Sequence, residues 1–249
     1  MNNAHGSIRL FSTCGRTAAW LLSAWLCVGA AYGMGISPVL VELGSARRVV
    51  SVVVSNPTAS PTTFQTQLLS WRQDDGADQY AESEDLIVTP AIAQIAAGST
   101  QVFRVALRGG PPMPLERSYR LIIEDISELS PTQGGSAVSL RFRFSLPVMV
   151  APAAPASALA RWSLCPAPAG KGCVRLDNEG NRRLRLSTLS LEGSGGWQQH
   201  VKGAAGTVLA GAWKQWTYEL LPQHQGVPLR ISARGEGGTT LQGDIEPAR

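Results

Sequence analysis

Histidine, cysteine and helix-like periodicity are what this 249-residue sequence has least of. Beyond residue 33 its only histidines are His200 and His224, both among Gln and Gly in loop-like stretches. Neither sits in a Ser-, Cys- or metal-type motif. No G-x-S-x-G elbow, phosphate-binding glycine loop or H-E-x-x-H pair occurs. The chain therefore reads as non-enzymatic, with no catalytic residue, no cofactor and no metal. Basic runs with interleaved aromatics are missing too, so nucleic acid is not an expected partner. The formal charge of +4 falls to +2 once Arg9 and Arg16 are set aside with the N-terminal segment. An acidic run, Asp74, Asp75, Asp78, Glu82, Glu84 and Asp85, lacks the spacing and closing Glu of a calcium loop and reads as a solvated hairpin.

What is present is a targeting segment followed by strands. Arg9 and Arg16 precede the apolar stretch Thr17 to Ala31, which is short for a membrane span and is followed by small residues. This is the pattern of a secretory signal peptide, residues 1–33, with cleavage expected after Ala30 or Gly33; an uncleaved anchor is the alternative. After cleavage the chain is not membrane-embedded. Cys14 and Cys27 leave with that segment. Cys165 and Cys173 bracket P-A-P-A-G-K-G with no nearby His or carboxylate to complete a tetrahedral metal site. In an oxidising compartment the default reading is a disulfide.

Short β-branched runs between Gly, Pro and Asn turns recur along the mature chain, among them Val49 to Val54, Thr62 to Trp71, Gln101 to Leu107 and Ser118 to Glu124. Ala151 to Ala156, with prolines at 152 and 155, has no side chains suited to a sheet and reads as a stiff linker. The fold expected is all-β: two tandem immunoglobulin-like sandwiches at an angle. The first domain would span 34–150, the linker 151–157 and the second domain 158–249.

One stretch stands out. Val138, Leu140, Phe142, Phe144 and Leu146 alternate with Ser139, Arg141, Arg143 and Ser145, an unbroken period of two. Such a strand either closes its own sandwich or is lent to another protein. The Gly-rich segment Ser130 to Ser136 before it and the length of the ridge favour an accessible edge.

The order of several motifs resembles the PapD-like chaperones of the chaperone–usher pathway, in their archaic, spore-coat-U-associated branch. The motifs are Ile36 to Leu43, Val54-Ser55-Asn56-Pro57, Pro90 to Gly98 with Phe103-Arg104-Val105, Tyr119-Arg120-Leu121, and Leu140 to Pro152. Leu184-Arg185-Leu186 after Asn178 to Asn181 is similar to the second domain. The resemblance implies a periplasmic chaperone that binds pilus or fimbrial subunits by donor-strand complementation and delivers them to an outer-membrane usher. The donated residues would be Val138, Leu140, Phe142, Phe144 and Leu146. The family's best-known branch holds the subunit's terminal carboxylate with basic residues on its first and donor strands. Here the first strand offers Ser37, Pro38, Val39 and Leu40, with no base, and the corresponding stretch of the donor strand carries Pro147, so Arg104 and Arg143 are the substitutes considered. A structural or adhesive exported protein built from Ig-like modules is the alternative function.

Overall fold

The computed structural model describes residues 33–110, 113–127, 140–220, 223 and 226–246. Val138 and His224 lie outside them. Among the described residues there is no α-helix, and no helix is long and apolar enough to cross a membrane.

The first half is two sheets face to face. One has the order β1 (Gly35–Ser37), β3 (Val49–Asn56), β8 (Ser99–Leu107), β6 (Leu86–Thr89). The other runs β2 (Val41–Leu43), β10 (Arg143–Val150), β9 (Arg117–Asp125), β4 (Thr62–Asp74), β5 (Ala77–Glu82), with β7 (Ile92–Ile95) also on β4. Alternation decides what faces inward: Val52, Val54, Phe64, Phe103, Val105, Leu121 and Ile123 form the core. Each such side chain contributes roughly 1.5–3 kcal/mol when fully buried. The acidic run falls largely on the β4–β5 hairpin. Asp75 (φ 49°) and Gly76 (φ 74°) are its two turn residues, the Asp-Gly pair that left-handed two-residue turns favour.

The second half repeats the plan. Its sheets are β11 (Ala160–Leu164), β12 (Lys171–Asn178), β16 (Trp213–Glu219), and β14 (Gln198–His200), β13 (Leu184–Gly193), β17 (Leu229–Gly235), β18 (Thr240–Ile245). A short β15 (Gly206–Val208) pairs with β13. Leu176, Leu189, Leu191, Val208 and Ile231 fill its interior. The Cys165–Cys173 disulfide is present and clamps the β11–β12 hairpin, beside a Cys165 N–H to Cys173 carbonyl bond of 3.0 Å.

The segment between the halves is tied at every second residue. Ala153 N–H donates to Met113 O (2.8 Å), and Pro155 O accepts from Asn181 Nδ2 (3.1 Å). Ser157 N–H donates to Asn181 Oδ1 (2.7 Å), and Leu159 O accepts from Glu179 N–H (2.9 Å). Hydrogen bonding therefore ties the segment down in addition to its prolines.

Candidate functional site: an open strand edge

The N-terminal strand changes sheets. β1 pairs with β3 in the first sheet; after Pro38 the chain crosses and β2 pairs, parallel, with β10. β2 begins at Val41, opposite Val148. The part of β10 before Val148 thus has β9 on one side and, among the described residues, no strand on the other. Asp125 N–H bonds Phe142 O (2.8 Å), so even-numbered residues turn their backbone groups to β9. Arg143 and Ser145 turn theirs to the open side. Pro147 also faces that side, which is why a proline is tolerated there: its missing N–H has no ladder partner to lose.

The apolar ridge sinks gradually along this edge. Leu140 is 73 % exposed, Phe142 and Phe144 are half-buried, and Leu146 is 3 % exposed within the home core. The two phenylalanine rings lie near-parallel, 11° apart, with centroids at 6.3 Å. Met34 and Ile36 pack on the same core from the β1 side. Among the described residues, the strand expected from Val138 onward is bonded to β9 from Phe142. The period of two was legible, but how deep each residue sits depends on where β9 ends at Asp125, and alternation does not encode that.

Arg104 and Arg143 are not brought together. Arg104 lies between buried Phe103 and Val105, so it points out of the first sheet. Arg143, beside half-buried Phe144, points out of the second sheet and faces Glu124 at 3.9 Å. The outer faces of two packed sheets look in opposite directions, so one carboxylate cannot meet both arginines.

The outer face of the β10 sheet instead carries Arg120, directly across from Pro147. Its guanidinium stacks 4.0 Å above the Trp71 ring, which in turn stacks on Tyr80. Arg120 Nε is buried without a hydrogen-bond partner among the described residues. Below it Trp71, Met149 and Leu209 form a small apolar cluster joining the two halves. A recess of about 440 Å³ opens there, lined by Trp71, Gln73, Asp85, Arg117, Tyr119 and Leu209 among others. The Tyr119 hydroxyl donates to Asp85 (2.7 Å); burial, and then that bond, push its ionisation well above the ordinary tyrosine value.

A buried ionic cluster sits beside the recess. Arg183 bonds Glu116 (2.7 Å) and Glu42 (2.8 Å), and Arg182 also reaches Glu42 (3.3 Å). Arg183 is 5 % and Glu116 9 % exposed. The bond from Arg183 holds the Glu42 carboxyl below its ordinary value against the opposing effect of burial. No sequence pattern announced this cluster, because 67 residues separate Glu116 from Arg183. The His200 ring bonds the Ser190 hydroxyl (2.8 Å) on an exposed surface.

Residues 33–156 match the family described as pili and flagellar-assembly chaperone, PapD N-terminal domain. The chain belongs to the PapD-like family. Solved structures extend the likeness across both halves of this PapD-like chain. The archaic Csu chaperone CsuC of Acinetobacter baumannii, solved with the tip adhesion subunit CsuE, has a TM-score of 0.66 at 21 % identity over 88 % of this chain and 100 % of that one. The CupB2 chaperone of Pseudomonas aeruginosa has 0.54 at 18 %, over 84 % and 97 %. The E. coli chaperone DraB has 0.57 at 17 %, over 87 % and 97 %. At these identities the likeness is one of fold. No curated protein matches the sequence.

Proposed function

We propose that this protein is a periplasmic chaperone that captures pilus subunits by lending them the open edge of β10. The observation that carries this is the edge of Arg143–Pro147 away from β9, open among the described residues, with a half-buried aromatic ridge beside it. A subunit lacking its last strand would gain backbone bonds from Arg143 and Ser145 and pockets filled by Leu140, Phe142 and Phe144. Three such side chains would supply roughly 4.5–9 kcal/mol gross if buried from full exposure, and less here because Phe142 and Phe144 are already half-buried. Association and ordering take back several, which leaves the complex open to later exchange. Leu146, committed to its own core, anchors the strand; Val138, outside the described residues, belongs to the donated set by the sequence pattern alone. Export by the signal peptide, the 34–150, 151–157 and 158–249 domain division and delivery to an outer-membrane usher belong to the same reading. So does the absence of catalysis.

Arg120 is the cation this geometry offers to a subunit's terminal carboxylate. It stands next to Pro147, lacks an acidic partner among the described residues, and is held flat by Trp71. Arg120→Ala in a folded chain should weaken capture; unchanged capture removes the assignment. The main test is Phe142→Arg with Phe144→Arg, co-expressed with a pilus subunit of the chaperone–usher class. The account expects a folded variant that no longer co-purifies with the subunit; undiminished capture refutes strand donation.

A further inference from the structure

The two halves, which belong to one compact unit, touch through the apolar cluster of Trp71, Met149 and Leu209 and through two polar contacts on either side of the recess, which differ in kind. The first is a pivot. The turn from Asn178 to Arg183 holds the linker through Asn181 and holds the first half through Glu116, whose N–H donates to Asn181 O (2.9 Å). Gly180 allows this approach: a side chain there would collide with the Ser157 carbonyl of the linker. The second contact is the tip of the β4–β5 hairpin. Gln73 Nε2 donates to Thr207 O (2.8 Å), and its Oε1 accepts from Leu209 N–H (2.9 Å). Gln73 also donates to Asp78 (2.7 Å), which in turn faces Lys214 at 3.4 Å. Trp213 rests on Gly76 of the turn, leaving no space there for a side chain.

Two bodies joined at one place can still swing about it; a second, separated attachment removes that freedom. Gln73 suits this task because it engages donor and acceptor of neighbouring residues at once, as a strand partner would, and so fixes direction as well as distance. The segment it grips is itself held by the pivot turn: Asn178 Nδ2 donates to Val208 O (3.1 Å) and Leu209 O (3.0 Å). Residues 207–209 are thus bonded from both sides.

We propose that the β4–β5 hairpin, through Gln73, is a latch that sets the angle between the two sandwiches, while the Asn178–Arg183 turn is only the pivot. The cleft is therefore preformed in the free protein. Spin labels at Ser51→Cys and Gln242→Cys, both exposed, in the mature chain with its disulfide intact, report the angle as a distance distribution. The parent should give one narrow distance. Gln73→Ala combined with Asp78→Ala should lose it and give a broad distribution. In the same variant the Ser157 and Glu116 amides at the pivot should stay protected from hydrogen exchange. A narrow, unmoved distance overturns the latch, and so does loss of pivot protection together with the distance. Lys214→Ala with Trp213→Ala approaches the same contact from the second half and should also broaden the distance. If the first variant does not fold, this one decides by the same outcomes.

Discussion

The two sandwiches share a device and differ in how they end. In the first, Asn56 closes the loop after β3, its Nδ2 donating to Ser60 O (2.9 Å) and Ile95 O (3.0 Å) and its Oδ1 accepting from Thr58 N–H (3.1 Å). In the second, Asn178 does the same after β12, with Arg182 O (2.8 Å), Val208 O and Leu209 O as acceptors and Gly180 N–H as donor (3.1 Å). A buried amide satisfying several loop carbonyls is strongly specified, because losing it leaves each of them unpaired. The edges part company. In the second sandwich side chains bridge the two sheets on both sides. The Trp162 ring fills the space beside Gly243, where β11 meets β18. On the other side the Gln199 amide, oriented to satisfy both contacts, spans from β14 to the backbone N–H and carbonyl of Glu219 in β16 (3.3 and 2.9 Å). Among the described residues, the first sandwich is left open along β10 before Val148, where the pairing with β2 begins. On the proposed function, one scaffold is a structural arm where side chains bridge its sheet edges and a binding arm where an edge stays open.

The comparison can be pressed at several points. The largest loss of stability is expected from Arg183→Met, which strands Glu116 in the interior: about 3–5 kcal/mol by denaturant unfolding. A neutral result would mean that the halves are joined without the ion pair. Next come Asn56→Ala and Asn178→Ala, each expected to cost about 3 kcal/mol, since each leaves two or more carbonyls without donors. If only one of them destabilises, the shared device is not shared. A smaller effect attaches to acid. The folded pKa of Glu42 is depressed, so its contribution is complete above its ordinary value of 4.5 and drains as pH falls through the lower folded value. Unfolding followed from neutral pH downward should show the difference between the parent and Glu42→Gln shrinking below about pH 4.5; a constant difference contradicts the Arg183 contact. The smallest is His200→Ala, within about 0.5 kcal/mol, because Ser190 and His200 lie on a solvated face. A larger change in thermal stability would show that this polar face carries load.

The β pattern of the first half was legible because each strand alternates against one buried face: Val50, Val52 and Val54 on β3 meet Val105, Phe103 and Gln101 on β8 in register. The disulfide followed from two cysteines and a compartment. The donor ridge was legible as a ridge but not in depth, since the burial of Leu146 depends on the parallel pairing of β2 that begins only two residues later. The cleft was the hard part. Arg120, Gln73, Glu116 and Arg183 act through partners far along the chain, and a lone charge or amide in a strand looks the same whether it is solvated or gripped. Arg104 and Arg143 lie near the right motifs and carry the right group, while the parity of their strands sends them to opposite outer faces.

The most direct measurement is hydrogen exchange at the Ser145 amide, whose N–H points from β10 to the open side. In the free chaperone it should exchange quickly while Phe144 and Leu146, bonded to β9, are protected. With a bound pilus subunit it should become as protected as they are. A Ser145 amide already protected in the free protein, or one that stays fast in the complex, would contradict the lending of this edge.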